Sequence, residues 1–190
     1  MLTSLLSGER AWTELSSSDL ATFRGLPRIL ALIEAGRSLR YHDAHAMLRF
    51  ARLARYAADR LSAREVGAAS VADIRALAWG ELANAYRICD DLSQASSAMN
   101  RAVYWSHRGS RSGLLLARIA DLLASLLASQ RRFAEAVQLL RLVHGIHSEE
   151  GRPHLAGRAL ISMGHYIGWD SPGRAIVLLE RGLDQIDPHR

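Results

Sequence analysis

The sequence predicts an all-α protein built from antiparallel helix pairs, and three observations lead to this fold class. Apolar residues recur every three or four positions along most of the chain, which is the periodicity of amphipathic helices. The alternation of apolar and polar residues that is typical of β-strands does not occur. Proline, which breaks helices, accounts for only 4 of the 190 residues. We therefore expect roughly seven or more helices and no sheet.

Chain length and composition favour a single domain that needs no metal or disulfide. With 49% apolar residues, a chain of 190 residues can bury a substantial core. Cys89 is the lone cysteine, so the sequence offers no internal disulfide and no thiolate metal site. The first residues lack the features of a signal peptide, and the longest apolar run, residues 114–128, is interrupted by Arg118 and Asp121. We expect a cytoplasmic protein with no membrane span and no membrane partner.

The basic residues are unusual in kind. The 24 lysine and arginine positions include no lysine at all. Together with the high alanine content, this is typical of proteins from GC-rich bacterial genomes. The net charge of +5 still favours encounters with anionic partners.

Capping and breaking residues divide the chain into helical segments. They lie at residues 16–19, 42–43, 67, 90–91, 109–113, 151–153 and 170–172. In the last of these, Ser171 can cap a helix and Pro172 can occupy its first position, where a missing N–H costs nothing. Residues 1–25, which include Trp12, are expected to form an N-terminal arm or a capping helix. Residues 26–65 are expected to form a divergent helix pair.

The second helix of this first pair is predicted to have two contrasting faces. Its apolar face comprises Met47, Phe50, Ala54, Ala58 and Leu61. Four arginines are predicted to lie opposite, and these are Arg49, Arg52, Arg60 and Arg64. They could contact the phosphates of a nucleic acid, although Asp59 and Glu65 lie among them. A solvated face is the simpler interpretation.

Three similar helix pairs follow, over residues 74–106, 114–148 and 154–186. In the first pair, apolar residues share one face of each helix, namely Trp79, Leu82, Ala83 and Tyr86, then Ala95, Met99 and Ala102. Small residues recur at matching positions, which are Ala83, Ala124 and Gly164 in the first helices and Ala95, Ala136 and Ala175 in the second. Small residues let antiparallel helices approach closely, while larger neighbours fill the grooves beside the contact.

This pattern resembles the tetratricopeptide repeat, in which a large residue, a leucine followed by a small residue, and an aromatic residue share one helix face. The copies recur at about 40 residues instead of the usual ~34, so the helices or the loops are expected to be longer. The resemblance implies an α-solenoid of antiparallel helix pairs, with three clear pairs, one weaker N-terminal pair and an N-terminal helix. It covers residues 74–184 well and the remainder loosely.

The resemblance also implies a peptide-binding groove, because the first helices of such pairs line the concave side of the superhelix. The implied groove residues are Asn84, Arg87, Arg118, Asp121, Ser125, Arg158, Ser162 and His165. Asn84 follows the small residue of its helix, where some family members use an asparagine to hold the terminal carboxylate of a peptide. Gly80 stands where those members would have a lysine. Three arginines nonetheless favour an acidic or C-terminal peptide, because a guanidinium pairs bidentately with a carboxylate.

Several of these residues also have simpler interpretations. Arg118 and Asp121 could form an i,i+3 ion pair on an otherwise apolar helix. Three aromatic residues, Trp79, Tyr86 and Phe133, could stack on bases, but their positions match the core of the repeat.

The sequence contains no recognisable catalytic signature. A phosphate-binding loop with its lysine, a His-Glu-x-x-His motif, a Cys-x-x-Cys motif and a Gly-x-Ser-x-Gly elbow are all missing. His42 with His45, and His144 with His147, have a helical spacing, but two nitrogens are too few for zinc even with His154 nearby. We expect no enzymatic activity, no cofactor and no metal.

The leading functional hypothesis is a non-catalytic adaptor or scaffold that binds a protein or peptide in the groove. The alternative is a regulatory or nucleic-acid-associated helical repeat protein that uses its arginine-rich surface. A third hypothesis is self-association through the last helix pair, because terminal repeats need a distinct polar face to stay monomeric.

Overall fold

The structure is a computed structural model that describes residues 25–186, and this part of the chain is all-α. Its nine α-helices are α1 (Leu26–Ser38), α2 (Ala44–Asp59), α3 (Ala63–Val66), α4 (Ala68–Ile88), α5 (Leu92–Ser106), α6 (Gly113–Ser129), α7 (Phe133–Glu149), α8 (Pro153–Ile167) and α9 (Pro172–Ile186). A single 3-10 turn, Leu39–Tyr41, follows α1. Over this range no strand occurs, so the prediction of an all-α chain is confirmed there. The expected N-terminal arm with Trp12 lies outside the described residues.

Consecutive helices pack in pairs, which is consistent with a helical repeat. The pairs are α1 with α2, α4 with α5, α6 with α7, and α8 with α9. Neighbouring pairs join through contacts of α2 with α4, α4 with α6, and α7 with α8. The short helix α3 packs on α4. This order places α1, α4, α6 and α8 as the first helices of four successive pairs.

The small residues that matched in the sequence lie at the contact within each pair. Ala83 shares an apolar cluster with Ala95, and Ala124 shares one with Ala136. A Cβ atom on Gly164 would lie 3.0 Å from the carbonyl oxygen of Ala175. Close helix approach therefore explains the small side chains at these positions.

Three of the connections have the same backbone geometry. After α4, Asp90 has a φ of 62°, and the Asp91 N–H donates to the Tyr86 carbonyl at 2.9 Å. After α6, Arg131 also has a φ of 62°, and the Arg132 N–H donates to the Leu127 carbonyl at 2.9 Å. After α7, Gly151 has a φ of 63°, and the Arg152 N–H donates to the His147 carbonyl at 2.8 Å. This is the Schellman helix end, in which one residue adopts the left-handed conformation, and it occurs here both within pairs and between pairs.

The predicted arginine face of the first pair is wrong. Helix α2 ends at Asp59, Arg60 caps it, and Arg64 lies in the separate helix α3. The chain leaves the helix here because the Ser62 hydroxyl caps α3, accepting from the Arg64 N–H at 3.2 Å, while Leu61 turns into the core.

The remaining arginines of this predicted face are engaged with neighbouring side chains. Arg52 lies over the ring of Tyr86 and Arg60 over that of Tyr56. Arg49 approaches the carboxylate of Asp43 at 3.9 Å. These contacts hold three of the four guanidinium groups against neighbouring side chains.

Within residues 25–186, every helix is too short or too polar to cross a bilayer.

Candidate binding groove

A groove with a volume of about 600 Å³ lies among the first helices of the pairs, and we call it the inner groove. Its walls come from α1, α4, α6 and α8 together with the end of α7. Arginines supply most of its charge, and these are Arg37, Arg40, Arg118, Arg152 and Arg158. Leu77, Leu115 and Leu155 supply apolar surface. The groove therefore combines cationic groups with patches for aliphatic chains.

One buried carboxylate ties three of the groove helices together. Glu81 on α4 is 3% exposed, and its Oε1 accepts hydrogen bonds from two guanidinium groups. Arg37 on α1 donates through Nε at 2.9 Å and Nη2 at 2.6 Å. Arg118 on α6 donates through Nε at 2.9 Å and Nη2 at 2.7 Å. These charge-assisted bonds fix the relative positions of α1, α4 and α6.

Two further carboxylates complete this network at the surface. The Nη1 of Arg37 lies 3.4 Å from Glu34, and the Nη1 of Arg118 lies 3.3 Å from Asp121. The i,i+3 ion pair of Arg118 and Asp121 is thus present, within a larger network. Burial opposes the charge of Arg37, but Glu81 and Glu34 outweigh it and hold the Arg37 pKa above its usual value.

Two arginines on the α8 side of the groove have no such partners. Among residues 25–186, no carboxylate lies within ion-pair distance of Arg152 or Arg158. Both are exposed, and both flank the buried His147. Burial lowers the pKa of His147, and the two arginines lower it further, against an opposing effect of Asp121. This side of the groove therefore has an excess of positive charge.

The structure brings four of the eight sequence-predicted site residues into the inner groove: Arg118, Asp121, Arg158 and Ser162. Arg118 is paired with Glu81, whereas Arg158 is free to meet a ligand. These four positions were expected from the tetratricopeptide resemblance.

Three more of the predicted residues line a smaller pocket of about 260 Å³, one turn further along α6 and α8. They are Arg87, Ser125 and His165. Tyr166 and Trp169 complete its wall, and Trp169 is 95% exposed. This pocket extends the same face of the molecule.

The eighth residue, Asn84, lies beneath Arg87 and lines neither pocket. It is 4% exposed, and its Oδ1 accepts from Arg87 Nε at 3.1 Å and Nη2 at 2.8 Å. Burial lowers the pKa of Arg87. In this arrangement Asn84 orients Arg87, and the Arg87 guanidinium, not the Asn84 amide, lines the pocket.

Gly80 does not face the groove. A Cβ atom there would lie 2.8 Å from Ile119 Cδ1 and 3.2 Å from Leu122 Cδ1, both on α6. A lysine at this position would have to displace the α4–α6 contact. The close packing of α4 on α6 therefore explains why this chain has a glycine where the resemblance leads one to expect a lysine.

The sequence analysis missed the groove residues Arg37, Arg152 and His147, and also Glu81, the buried partner of Arg37 and Arg118. Glu81 carried a signal, because it is a lone carboxylate within the apolar and small residues 76–85. Arg37 carried none, since its partner lies 44 residues away. Arg152 precedes α8 and so fell outside the helix faces that were compared.

The groove offers hydrogen-bond donors and positive charge to an anionic ligand. Within the described part of the chain, no three His, Cys, Asp or Glu side chains are placed to hold a metal ion.

A scan against models of known protein families and a search of curated proteins both find no match to this chain.

Proposed function

We propose that this chain is a non-catalytic adaptor that binds an acidic or C-terminal peptide segment in the inner groove. The observation that carries the proposal is the pair of exposed arginines, Arg152 and Arg158, that lack carboxylate partners in the described structure. Unpaired guanidinium groups on the wall of a groove are suited to bidentate pairing with carboxylates.

The fold that we propose for this function is a tetratricopeptide-like solenoid. The matched small residues at the helix contacts support a repeated unit. In such an array the first helices form a continuous surface along which an extended peptide can lie.

The network around Glu81 has a positioning role in this proposal. Arg37 and Arg118 both donate to Glu81, and each also pairs with one surface carboxylate, Glu34 or Asp121. These contacts fix the helices, so other groups are left to recognise the ligand. Arg158 and Arg152 then meet the ligand carboxylates. A groove held in place before binding loses less conformational entropy when the peptide arrives.

The adjoining small pocket extends the site by one turn of helix. Arg87, held by Asn84, presents its guanidinium there beside the exposed ring of Trp169. We propose that it receives the next residue of the peptide or its terminal carboxylate.

Fluorescence anisotropy tests the proposal with a labelled ten-residue peptide of Glu, Gly and Ser that has no apolar residue. We expect binding that weakens about tenfold in Arg158→Ala, a loss of ~1.4 kcal/mol, which is typical of a hydrogen bond to a charged group. The matched control is Arg101→Ala, because Arg101 is an exposed arginine of α5 outside the inner groove. A C-terminally amidated peptide measures the contribution of the terminal carboxylate.

Two results would contradict this assignment. One is an equal affinity for a Lys, Gly and Ser peptide of the same length. The other is tighter binding of a single-stranded oligonucleotide with a steep salt dependence, which would favour the nucleic-acid alternative.

A further inference from the structure

A second and larger groove lies between α7 and α9, on a different side of α8. Its volume is about 820 Å³. Its floor is formed by Leu160, Met163 and Ile167 of α8, and α7 and α9 form the walls. We call it the α7–α9 groove. It shares no lining residue with the inner groove.

The dimensions of this groove suit a helix. Its α7 wall extends from Phe133 to His144, which is about 16 Å at the rise of an α-helix. This length matches about three turns of a partner helix. An amphipathic helix that lays its apolar face into such a groove is a recurring mode of recognition.

The rim of the groove is cationic. Arg141 on α7 and Arg174 and Arg181 on α9 are exposed, and no carboxylate of residues 25–186 lies within ion-pair distance of any of them. Asp170 is the one acidic residue among the described lining residues. The rim therefore lacks the negative charge that would neutralise it.

Apolar surface is exposed between these arginines. Val177 is 52% exposed and lies on α9 between Arg174 and Arg181, at the i+3 and i−4 positions. A partner side chain seated on Val177 would bring its flanking residues to both arginines. An apolar floor with a cationic rim is thus complementary to a helix whose apolar face is bordered by carboxylates.

A second copy of this chain is a poorer occupant. A symmetric dimer through this groove would place the same three arginines of both copies together. Like charges brought together across an interface oppose association. An acidic partner gains from the same charges.

We propose that the α7–α9 groove docks an acidic amphipathic helix of a partner protein, about three turns long. Its apolar residues pack on Val177 and on the α8 floor, and its carboxylates pair with Arg141, Arg174 and Arg181. This surface shares no lining residue with the inner groove and meets the small pocket only at Phe133 and Tyr166, so the adaptor has two adjacent sites that recognise acidic segments of different conformation.

Two synthetic 14-residue helices test this proposal by isothermal titration calorimetry. Both have leucines at the same positions of one face, and they differ only in having Glu or Lys beside that face. We expect the Glu helix to bind at least tenfold more tightly than the Lys helix. The double variant Arg174→Glu, Arg181→Glu should reverse this preference, and Val177→Asp should abolish binding of both helices.

The titrations are made with the inner groove saturated by the Glu, Gly and Ser peptide, so that only the second groove is open to the helices. Arg101→Glu is the matched control and should leave the affinity unchanged, because Arg101 is an exposed arginine of α5 outside both grooves. Circular dichroism checks that each variant stays folded, which we expect since the replaced side chains are exposed.

Four outcomes would overturn the proposal. They are equal affinities for the two helices, no binding of either at millimolar concentration, a loss of Glu-helix binding when the Glu, Gly and Ser peptide saturates the inner groove, and a dimer in sedimentation that Val177→Asp dissociates. The last result would assign the groove to a second copy of the chain.

Discussion

Two guanidinium groups from different helices share one oxygen of the Glu81 carboxylate. The other oxygen, Oε2, is buried and has no hydrogen-bond partner among the described residues. Taking a carboxylate out of water is costly, and Arg37 and Arg118 offset this cost only while the charge is present. The network is therefore sensitive to the loss of that one charge.

We predict that Glu81→Gln lowers the free energy of unfolding by about 3 kcal/mol. This is the lower end of the range for removing one partner of a buried ion pair, since Arg37 and Arg118 keep partial access to water. Urea unfolding followed by circular dichroism measures the change.

Glu135→Gln is the matched control for this variant. Glu135 accepts two short hydrogen bonds from Arg132, at 2.7 and 2.6 Å, but both side chains are exposed. Exposed ion pairs contribute little to stability, so this variant should unfold at nearly the same urea concentration as the parent. Similar losses in the two variants would show that burial of Glu81 does not matter.

The crossing of α8 and α9 depends on glycines that meet backbone to backbone. A Cβ atom on Gly157 would lie 2.5 Å from the Gly182 carbonyl oxygen, and one on Gly182 would lie 2.7 Å from the Gly157 carbonyl oxygen. Because the obstacle is backbone, no side chain can move aside to make room. The floor of the α7–α9 groove is held in place by this close approach.

We predict that Gly157→Ala lowers the free energy of unfolding by about 1–3 kcal/mol, the usual cost of overpacking. Gly145→Ala is the control, because Gly145 lies inside α7 and its added Cβ would meet nothing within 4 Å. That variant should gain about 0.5–1 kcal/mol from the better helix propensity of alanine. Thermal unfolding of the two proteins should therefore move in opposite directions, and a stabilised Gly157→Ala would refute the close crossing.

Helix identity was predictable from the sequence, whereas some helix ends were not. The 3.6-residue periodicity is a local property, so it predicted helices along this part of the chain, although α4 begins at Ala68 and the expected start of its pair was residue 74. The end of α2 at Asp59 was missed because Leu61 continued the apolar spacing although it lies outside the helix. The left-handed residue Arg131 gave no turn signal either, since arginine is uncommon in that conformation.

Across the whole molecule, the candidate site was predictable only where single helices define it. Arg118, Asp121, Arg158 and Ser162 were named because the tetratricopeptide resemblance implies a groove along the first helices, and the structure places them in one groove. Glu81 joins helices whose arginines are 44 and 37 residues distant in sequence, and no local pattern reports such a contact. The α7–α9 groove was missed for the same reason, because it exists only between second helices of successive pairs.

The two proposals assign a different ligand to each groove. The inner groove has a fixed ion network and free arginines at one side, which suits an extended acidic chain. The α7–α9 groove has an apolar floor and a cationic rim, which suits an amphipathic helix. An adaptor with both surfaces can hold two segments of one partner or join two partners.

The most direct test of the adaptor account is an NMR titration of the ¹⁵N-labelled protein with the Glu, Gly and Ser peptide. We predict that the largest amide shifts occur at residues 114–121 and 152–162, around Arg118 and Arg158, with little change in α2 and α5. Shifts confined to α2, α5 or the α7–α9 groove, or no shifts at saturating peptide, would contradict the assignment of the inner groove.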